Sequence, residues 1–301
     1  MQKKWLNKEV NNLNLQIKPK FNVELRNFTT FRIGGKCDVM LIPKDKQEYI
    51  KILDWCYIKK LRFRILGAGS NLLVDSYGVD GVVILTRELS KVCVDKTSIK
   101  AECGVKLPIL SKLARDSNIG GFEFCAGIPG SIGGAVVGNA GAFGSDMSKI
   151  VESVTFWSNG KVQTIKNEKI LFNYRKSVFK NDTTCAIIEV NMQSYQDTQE
   201  NISTKIMYNQ EYRATTQNVG YPNAGCIFNN TEMLPAVMIE KSHLKGYRVG
   251  EAMISHKHSN FVVNLGNATS EDVLELITNV KNKIYRDWDK KLNVEIIYWS
   301  K

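Results

Sequence analysis

The segment Gly127-Ile128-Pro129-Gly130-Ser131-Ile132-Gly133-Gly134-Ala135-Val136-Val137-Gly138-Asn139-Ala140-Gly141-Ala142-Phe143-Gly144 decides how this chain is read. Seven of the 22 glycines fall inside it, so it is too long and too glycine-dense for a turn. Glycine lets backbone N–H groups approach a ligand closely, and several together cradle a pyrophosphate. A second glycine loop, Gly67-Ala68-Gly69-Ser70-Asn71-Leu72, lies upstream, directly after an apolar run from Phe63 to Leu66. Two backbone cradles suit one large ligand with a diphosphate, such as flavin adenine dinucleotide (FAD). The bland alternative is tight packing of small residues between helix and sheet, which seldom needs two such segments.

Other phosphate-binding readings fit less well. The first loop follows a strand, as a dinucleotide fingerprint should, but Leu72 occupies the place of the third glycine. No clear acidic residue follows about twenty positions on at a second strand end. No glycine loop ends in Gly-Lys-Ser/Thr, so a P-loop is excluded.

Outward from the loops, helices and strands mix without a regular βαβ rhythm, which predicts an α+β fold. Asp45 can cap a helix with Ile50, Leu53 and Tyr57 at helical spacing. Short apolar runs at 63–66, 82–85 and 98–102 read as strands, and 107–117 as a helix with Pro108 in its first turn. Segments 152–157 and 186–192 alternate as strands do. The polar helical stretch 197–214 marks a domain junction. A helix over 270–285 carries Val273, Ile277, Val280 and Ile284 on one face, and a strand over 292–297 closes the chain.

Composition narrows the class. The 301 residues are 43% hydrophobic and 24% charged, an ordinary globular mixture. Lysine plus arginine number 41 against 30 acids, a net charge of +11. Such an excess suits a nucleic acid, an anionic membrane surface or an anionic small substrate, although surface lysine is its usual origin. No apolar run approaches the roughly 18 residues of a spanning helix. The basic segment Met1 to Lys20 lacks an apolar stretch, so no signal peptide is expected. Seven cysteines without a C-x-x-C, and three histidines without H-E-x-x-H, predict neither a disulfide framework nor a metal site. A soluble cytoplasmic protein is expected.

Several motifs occur in an order that resembles one enzyme family. Residues 64–75 and 126–144 resemble the two flavin-binding loops of the UDP-N-acetylenolpyruvoylglucosamine reductases. Asn27-Phe28-Thr29-Thr30-Phe31 with Ile33-Gly34-Gly35 resembles that family's N-terminal signature, and Tyr174-Arg175-Lys176-Ser177 its Tyr-Arg-x-Ser motif. Ala224-Gly225-Cys226-Ile227-Phe228, Leu244-Lys245-Gly246, His258 to Asn264, Ala268-Thr269 and Val294-Glu295 follow in the family's order. The resemblance covers about residues 24 to 297, and the short spacing from Arg175 to Gly225 is similar to the family's compact subtype.

The resemblance implies a two-part FAD-binding domain of the vanillyl-alcohol oxidase-like type plus a C-terminal α+β substrate domain. The corresponding divisions are 1–85 (arm and first FAD-binding subdomain), 86–200 (second) and 201–301 (substrate domain). It implies FAD contacts from Gly67, Ala68, Gly69, Ser70, Asn71 and Leu72. It implies further contacts from Gly127, Ile128, Pro129, Gly130, Ser131, Gly133, Gly134, Asn139 and Gly141. It also implies a reaction in two halves, in which NADPH reduces the flavin and the enolpyruvyl group of UDP-N-acetylglucosamine enolpyruvate is then reduced to give UDP-N-acetylmuramate, a peptidoglycan precursor.

Hydride added to one carbon of an enol ether leaves negative charge on its neighbour and the attached carboxylate. Arg175 can bind a carboxylate bidentately and stays charged; alone, it reads equally as a solvated arginine beside Lys176 and Lys180. Glu295 matches the family's catalytic glutamate, although by itself it reads as an exposed acid on an edge strand. The proton donor is where this chain departs: the family commonly has serine after the glycine, and here Cys226 follows Gly225. A thiol, with an ordinary pKa of about 8.5, is a stronger acid than a hydroxyl; elsewhere cysteine is more often a small buried hydrophobe.

Where the family continues Phe-Lys-Asn-Pro, this chain has Phe228-Asn229-Asn230-Thr231, losing a positive charge but keeping Asn230. Tyr174, Asn230 and His258 are the implied substrate contacts, with His258 orienting the site and His243 and His256 facing solvent. A monomer is expected, with no nucleic-acid or membrane partner and no metal. Two rivals stand beside this reading: another FAD-dependent oxidoreductase of the same fold, and a nucleic-acid-binding protein, against which no recognised motif appears.

Overall fold

A computed structural model of the chain describes residues 6, 9–180, 182, 184–217, 220–230 and 232–301. Thr231 and much of the start of the basic arm lie outside them. The described chain divides into two compact units: residues 1–21, 38–68 and 81–212 form the first, and 22–37, 69–80 and 213–301 the second.

In the first unit, Phe63–Leu66 lies parallel to Val79–Leu85, with Phe63 opposite Val82 and Leu66 opposite Leu85. Val82 to Leu85 are all buried, the continuous apolar run that a covered parallel strand requires. The strand begins three residues before the apolar run. Gly81 makes this possible: at φ +93° it lies against the Arg62 carbonyl, where an added Cβ would stand 2.4 Å from the oxygen. Lys36–Leu41 joins the same sheet, unread in the sequence because Lys36 and Asp38 break its apolar pattern.

Helix Lys46–Ile58 starts at Asp45, whose carboxylate accepts the Glu48 N–H at 2.9 Å. Its buried face is Tyr49, Ile52, Leu53 and Cys56, whereas the spacing predicts Ile50, Leu53 and Tyr57. Glu48 is the cause: it is drawn inward to accept the backbone N–H groups of Gln16 at 2.6 Å and Lys44 at 2.8 Å. That turns the helix so that Tyr57 is exposed.

A five-stranded antiparallel sheet follows, in the order Lys161–Lys166, Val151–Ser158, Cys185–Gln193, Ser98–Glu102, Val92–Asp95. Helix Leu107–Asp116 has Pro108 in its first turn, where the missing N–H costs nothing. Helix Gln199–Thr216 buries Ile202, Ile206 and Asn209, and the Asn209 amide donates to the Glu123 carbonyl at 3.2 Å.

The second unit has its own core. Strands Asn223–Cys226, Phe261–Asn264, Ala252–Ile254 and Arg248–Val249 lie in that order. Helix Ser270–Trp288 packs Val273, Leu276, Ile277, Val280 and Ile284 into this core. Thr269 and Asp272 cap it reciprocally, side chain to backbone.

The closing strand is displaced from the predicted 292–297 to Ile297–Trp299, which runs parallel to Leu72–Val74. The reason is a competing partner. Asn293 and Glu295 spend their backbone groups on the segment after Cys226, leaving only the last three residues for the sheet.

Candidate active site

Gly67, the first residue of the first glycine loop, lies against the second loop within the first unit. A Cβ added at Gly67 would stand 2.2 Å from Ser131 Oγ, so the first loop opens against the second. The second loop is pinned by its backbone: Leu107 N–H donates to the Gly130 carbonyl at 2.9 Å, Ile132 N–H to Val105 at 2.9 Å, and Gly133 N–H to Cys103 at 2.8 Å. Part of this segment, Ile132–Val137, winds into a short helix, hidden in the sequence by its glycines. Gly69, at φ +63°, continues the first loop where a Cβ would meet the Phe28 carbonyl at 2.2 Å. Thr30 N–H donates to the Gly69 carbonyl at 3.1 Å and Ile297 N–H to the Asn71 carbonyl at 3.0 Å. These carbonyls are engaged by the protein instead of being turned toward an anionic ligand.

Tyr174 and Arg175 form the tip of a tight turn. Asn173 and Lys176 exchange both backbone hydrogen bonds, at 2.9 and 3.1 Å. Arg175 sits at φ +53°, the left-handed region that side chains adopt at a steric cost. Its carbonyl accepts Lys180 Nζ at 2.8 Å, and its guanidinium lies 5.4 Å from the centre of the exposed Tyr174 ring.

Two side chains tie this turn to the second glycine loop. The buried Asn139 amide donates to the Asn173 carbonyl at 3.0 Å, and its Oδ1 accepts Ser148 N–H at 3.0 Å. Ser177 Oγ donates to the Val137 carbonyl at 2.9 Å. Asn139 and Ser177 thereby link the Tyr-Arg motif to the loop expected to hold FAD.

In the second unit the segments after Cys226 and before Ile297 run side by side. Glu295 N–H donates to the Ile227 carbonyl at 2.8 Å, and Asn229 N–H to the Asn293 carbonyl at 2.9 Å. Phe228 stands opposite Val294. Cys226 and Glu295 thus share one ribbon, and Asn71 of the first glycine loop donates its amide to the Glu295 carbonyl at 3.4 Å. Both Cys226 and Glu295 are half-buried. The thiols of Cys56, Cys103 and Cys125 are fully buried, and burial pushes their pKa values up, that of Cys103 to about 12. Such thiols are poor donors at neutral pH.

Asn260, part of a motif quoted from the sequence without a role of its own, secures the ribbon. Buried at 2% exposure, it accepts Phe228 N–H on Oδ1 at 3.0 Å and donates Nδ2 to the Phe228 carbonyl at 2.9 Å. Its own carbonyl accepts Ile227 N–H at 2.9 Å. His258 stands behind it: Nδ1 accepts Asn260 N–H at 3.3 Å, and the ring packs 4.6 Å from Phe261. Burial, with the nearby Lys245 charge, holds the His258 pKa below its ordinary value. Asn230 is exposed at the end of the ribbon, and His243 and His256 are exposed as expected. Asn229, in place of the family's lysine, buries its Oδ1 without a hydrogen-bond partner.

The two loops fit a flavin dinucleotide: the first begins, at Gly67, against Ser131 of the second, both small residues, and the loops hold positions that a Cβ would fill. Residues 37–166, which contain both loops, match the model of an FAD binding domain. Residues 217–299, which contain Cys226, Asn230, His258 and Glu295, match the model of the UDP-N-acetylenolpyruvoylglucosamine reductase C-terminal domain. The fold and site are those of an FAD-containing oxidoreductase.

The chain is 40% identical over 280 residues to the UDP-N-acetylenolpyruvoylglucosamine reductase of Bacillus pumilus, spanning 91% of this chain and 92% of that one. It is 38% identical over 280 residues to that of Bacillus subtilis, with the same coverage. The crystal structure of the corresponding reductase from Thermus caldophilus superposes with a TM-score of 0.81 at 30% identity, over 95% of this chain and all of that one. The chain belongs to the UDP-N-acetylenolpyruvoylglucosamine reductase family. Among the described residues no helix is long and apolar enough to cross a membrane.

Proposed function

We propose that this protein reduces the enolpyruvyl group of UDP-N-acetylglucosamine enolpyruvate with NADPH, giving UDP-N-acetylmuramate for peptidoglycan precursor synthesis. The observation that supports this reading is the ribbon shared by the segments of Cys226 and Glu295, with Asn71 of the first glycine loop bonded to the Glu295 carbonyl.

When bound, FAD supplies two-electron transfer from NADPH to the enolpyruvyl carbon. The protein's part is to receive the charge that this transfer creates. Arg175 binds the substrate carboxylate and stabilises the negative charge spreading onto it. Glu295 assists at the same group. Cys226 gives its thiol proton to the carbon that does not take the hydride, which completes the reduction. Tyr174, Asn230 and His258 position the sugar nucleotide, Tyr174 from an exposed turn and His258 through Asn260. The glycine-loop residues named from the sequence hold the cofactor, with 1–85 and 86–200 as its subdomains and 201–301 as the substrate domain. The protein works as a cytoplasmic monomer.

An anaerobic absorption experiment tests this. NADPH should bleach the flavin of the purified holoenzyme, and UDP-N-acetylglucosamine enolpyruvate should restore the colour. Flavin that bleaches and stays bleached after the sugar is added would assign the chain another acceptor.

A further inference from the structure

The second glycine loop ends in a feature that the chemistry above does not use. Gly141–Ala142 pairs antiparallel with Ser145–Asp146, Ala142 opposite Ser145, so Phe143 and Gly144 are the two central residues of a tight turn. Both have positive φ, +53° and +75°, the pattern of a type I′ turn, whose central positions favour Asn, Asp or Gly. A phenylalanine there is held against its steric preference, and strain of this kind collects at ligand sites.

The Phe143 ring is not spent on a core, being 40% exposed. It meets Tyr212 edge to face, with ring centres 5.6 Å apart and planes at 83°, and Tyr212 is 48% exposed. The helix bearing Tyr212 is fixed from below by Ile202, Ile206 and the Asn209 amide. One turn earlier Tyr208, also exposed, extends the aromatic row. A cation is bound to the turn itself: the exposed Lys149 donates Nζ to the Gly144 carbonyl at 2.6 Å and keeps two further donors. Four residues before Phe143, Asn139 ties the same loop to the turn of Tyr174 and Arg175.

Flat aromatic faces beside an ammonium group recognise nucleotides, whose rings stack and whose phosphates take the charge. The exposure of both rings suits a ligand that exchanges at each turnover more than an enclosed cofactor. We propose that Phe143 and Tyr212 form an aromatic platform for the planar ring of an exchanging nucleotide, one ring stacking on it face to face and the other meeting it edge-on, with Lys149 on its phosphates. The two candidate sources are the UDP sugar and NADPH, and the proposal rests on the functional reading above.

The test uses the holoenzyme and three variants, Phe143→Asn, Phe143→Tyr and Tyr212→Ala. Asparagine accepts the left-handed turn, so Phe143→Asn should raise the Tm by about 2 °C. The same variant should raise the KM of the stacked nucleotide about tenfold. Tyr212→Ala should raise that KM similarly, and Phe143→Tyr should leave it within about twofold. Measuring KM for NADPH at saturating sugar, and for the sugar at saturating NADPH, separates the two sources. Titration of the oxidised holoenzyme with NADP+ or with UDP, followed by flavin absorbance, reads binding without turnover.

Gained stability with weakened binding supports the platform, because a merely structural aromatic pair would lose stability. Unchanged KM values and titrations in both Phe143→Asn and Tyr212→Ala would overturn it, whatever the Tm does. A wild-type holoenzyme that fails to oxidise NADPH with the UDP sugar would instead sink the functional reading on which the platform rests.

Discussion

The turn that carries Arg175 and the ribbon that carries Cys226 and Glu295 are fixed by different means. The turn has its own pair of backbone hydrogen bonds and two side-chain ties, from Asn139 and Ser177. Its central arginine occupies a left-handed conformation. The ribbon is knit by backbone bonds from 227 to 295 and from 229 to 293, and the buried Asn260 amide satisfies both polar groups of Phe228. The proposed charge stabiliser therefore sits on a strained turn, and the proposed proton donor on a ribbon whose Phe228 backbone is satisfied on both sides by one buried amide. A guanidinium has reach and a broad electrostatic range, whereas a thiol must meet one carbon at hydrogen-bond distance, which asks for the stiffer mounting.

Arg175→Gly breaks the comparison most sharply. Turnover should fall about 10²–10³-fold with the loss of charge stabilisation, while the Tm holds or rises because glycine accepts the left-handed φ. A fall in both would mean that the arginine is structural. Asn260→Ala comes next: it leaves a buried N–H and a buried carbonyl unmatched, and urea unfolding should show a loss of about 2–4 kcal/mol. Asn139→Ala should cost less, about 1–2 kcal/mol by the same measurement. An equal or larger loss for Asn139→Ala would reverse the ranking of the two supports.

The smallest effect is the pH dependence at His258. Burial keeps its imidazole neutral in the folded protein, with a pKa below the ordinary 6.5. The unfolded chain takes up the proton first as pH falls. The stabilisation is therefore complete above 6.5 and is lost progressively below it. Unfolding followed against pH should show this decline, and His258→Gln should flatten it.

Much of this arrangement was legible in the chain. The glycine density of 127–144, the loop at 67–72 and the apolar face of the helix beginning at Ser270 rest on local patterns. Other features depend on partners far away in sequence. The end of the chain reads as one strand over 292–297, but Asn293 and Glu295 turn to residues 227 and 229. Asn260 reaches its partner 32 positions upstream, a distance that no periodicity records. Glu48, an acid inside a helix, reads as exposed until Gln16 and Lys44 supply the N–H groups that draw it inward. Phe143 looks ordinary in the sequence and becomes a misfit only once the turn around it is known.

The most direct test of the account is a stopped-flow comparison of the two half-reactions in Cys226→Ala. Flavin reduction by NADPH should stay within about twofold of wild type, because that step uses no proton from the thiol. Reoxidation by UDP-N-acetylglucosamine enolpyruvate should slow by about 10²–10⁴-fold, the range of a lost general acid. Equal slowing of both steps, or of neither, would contradict the assignment of Cys226 as the proton donor.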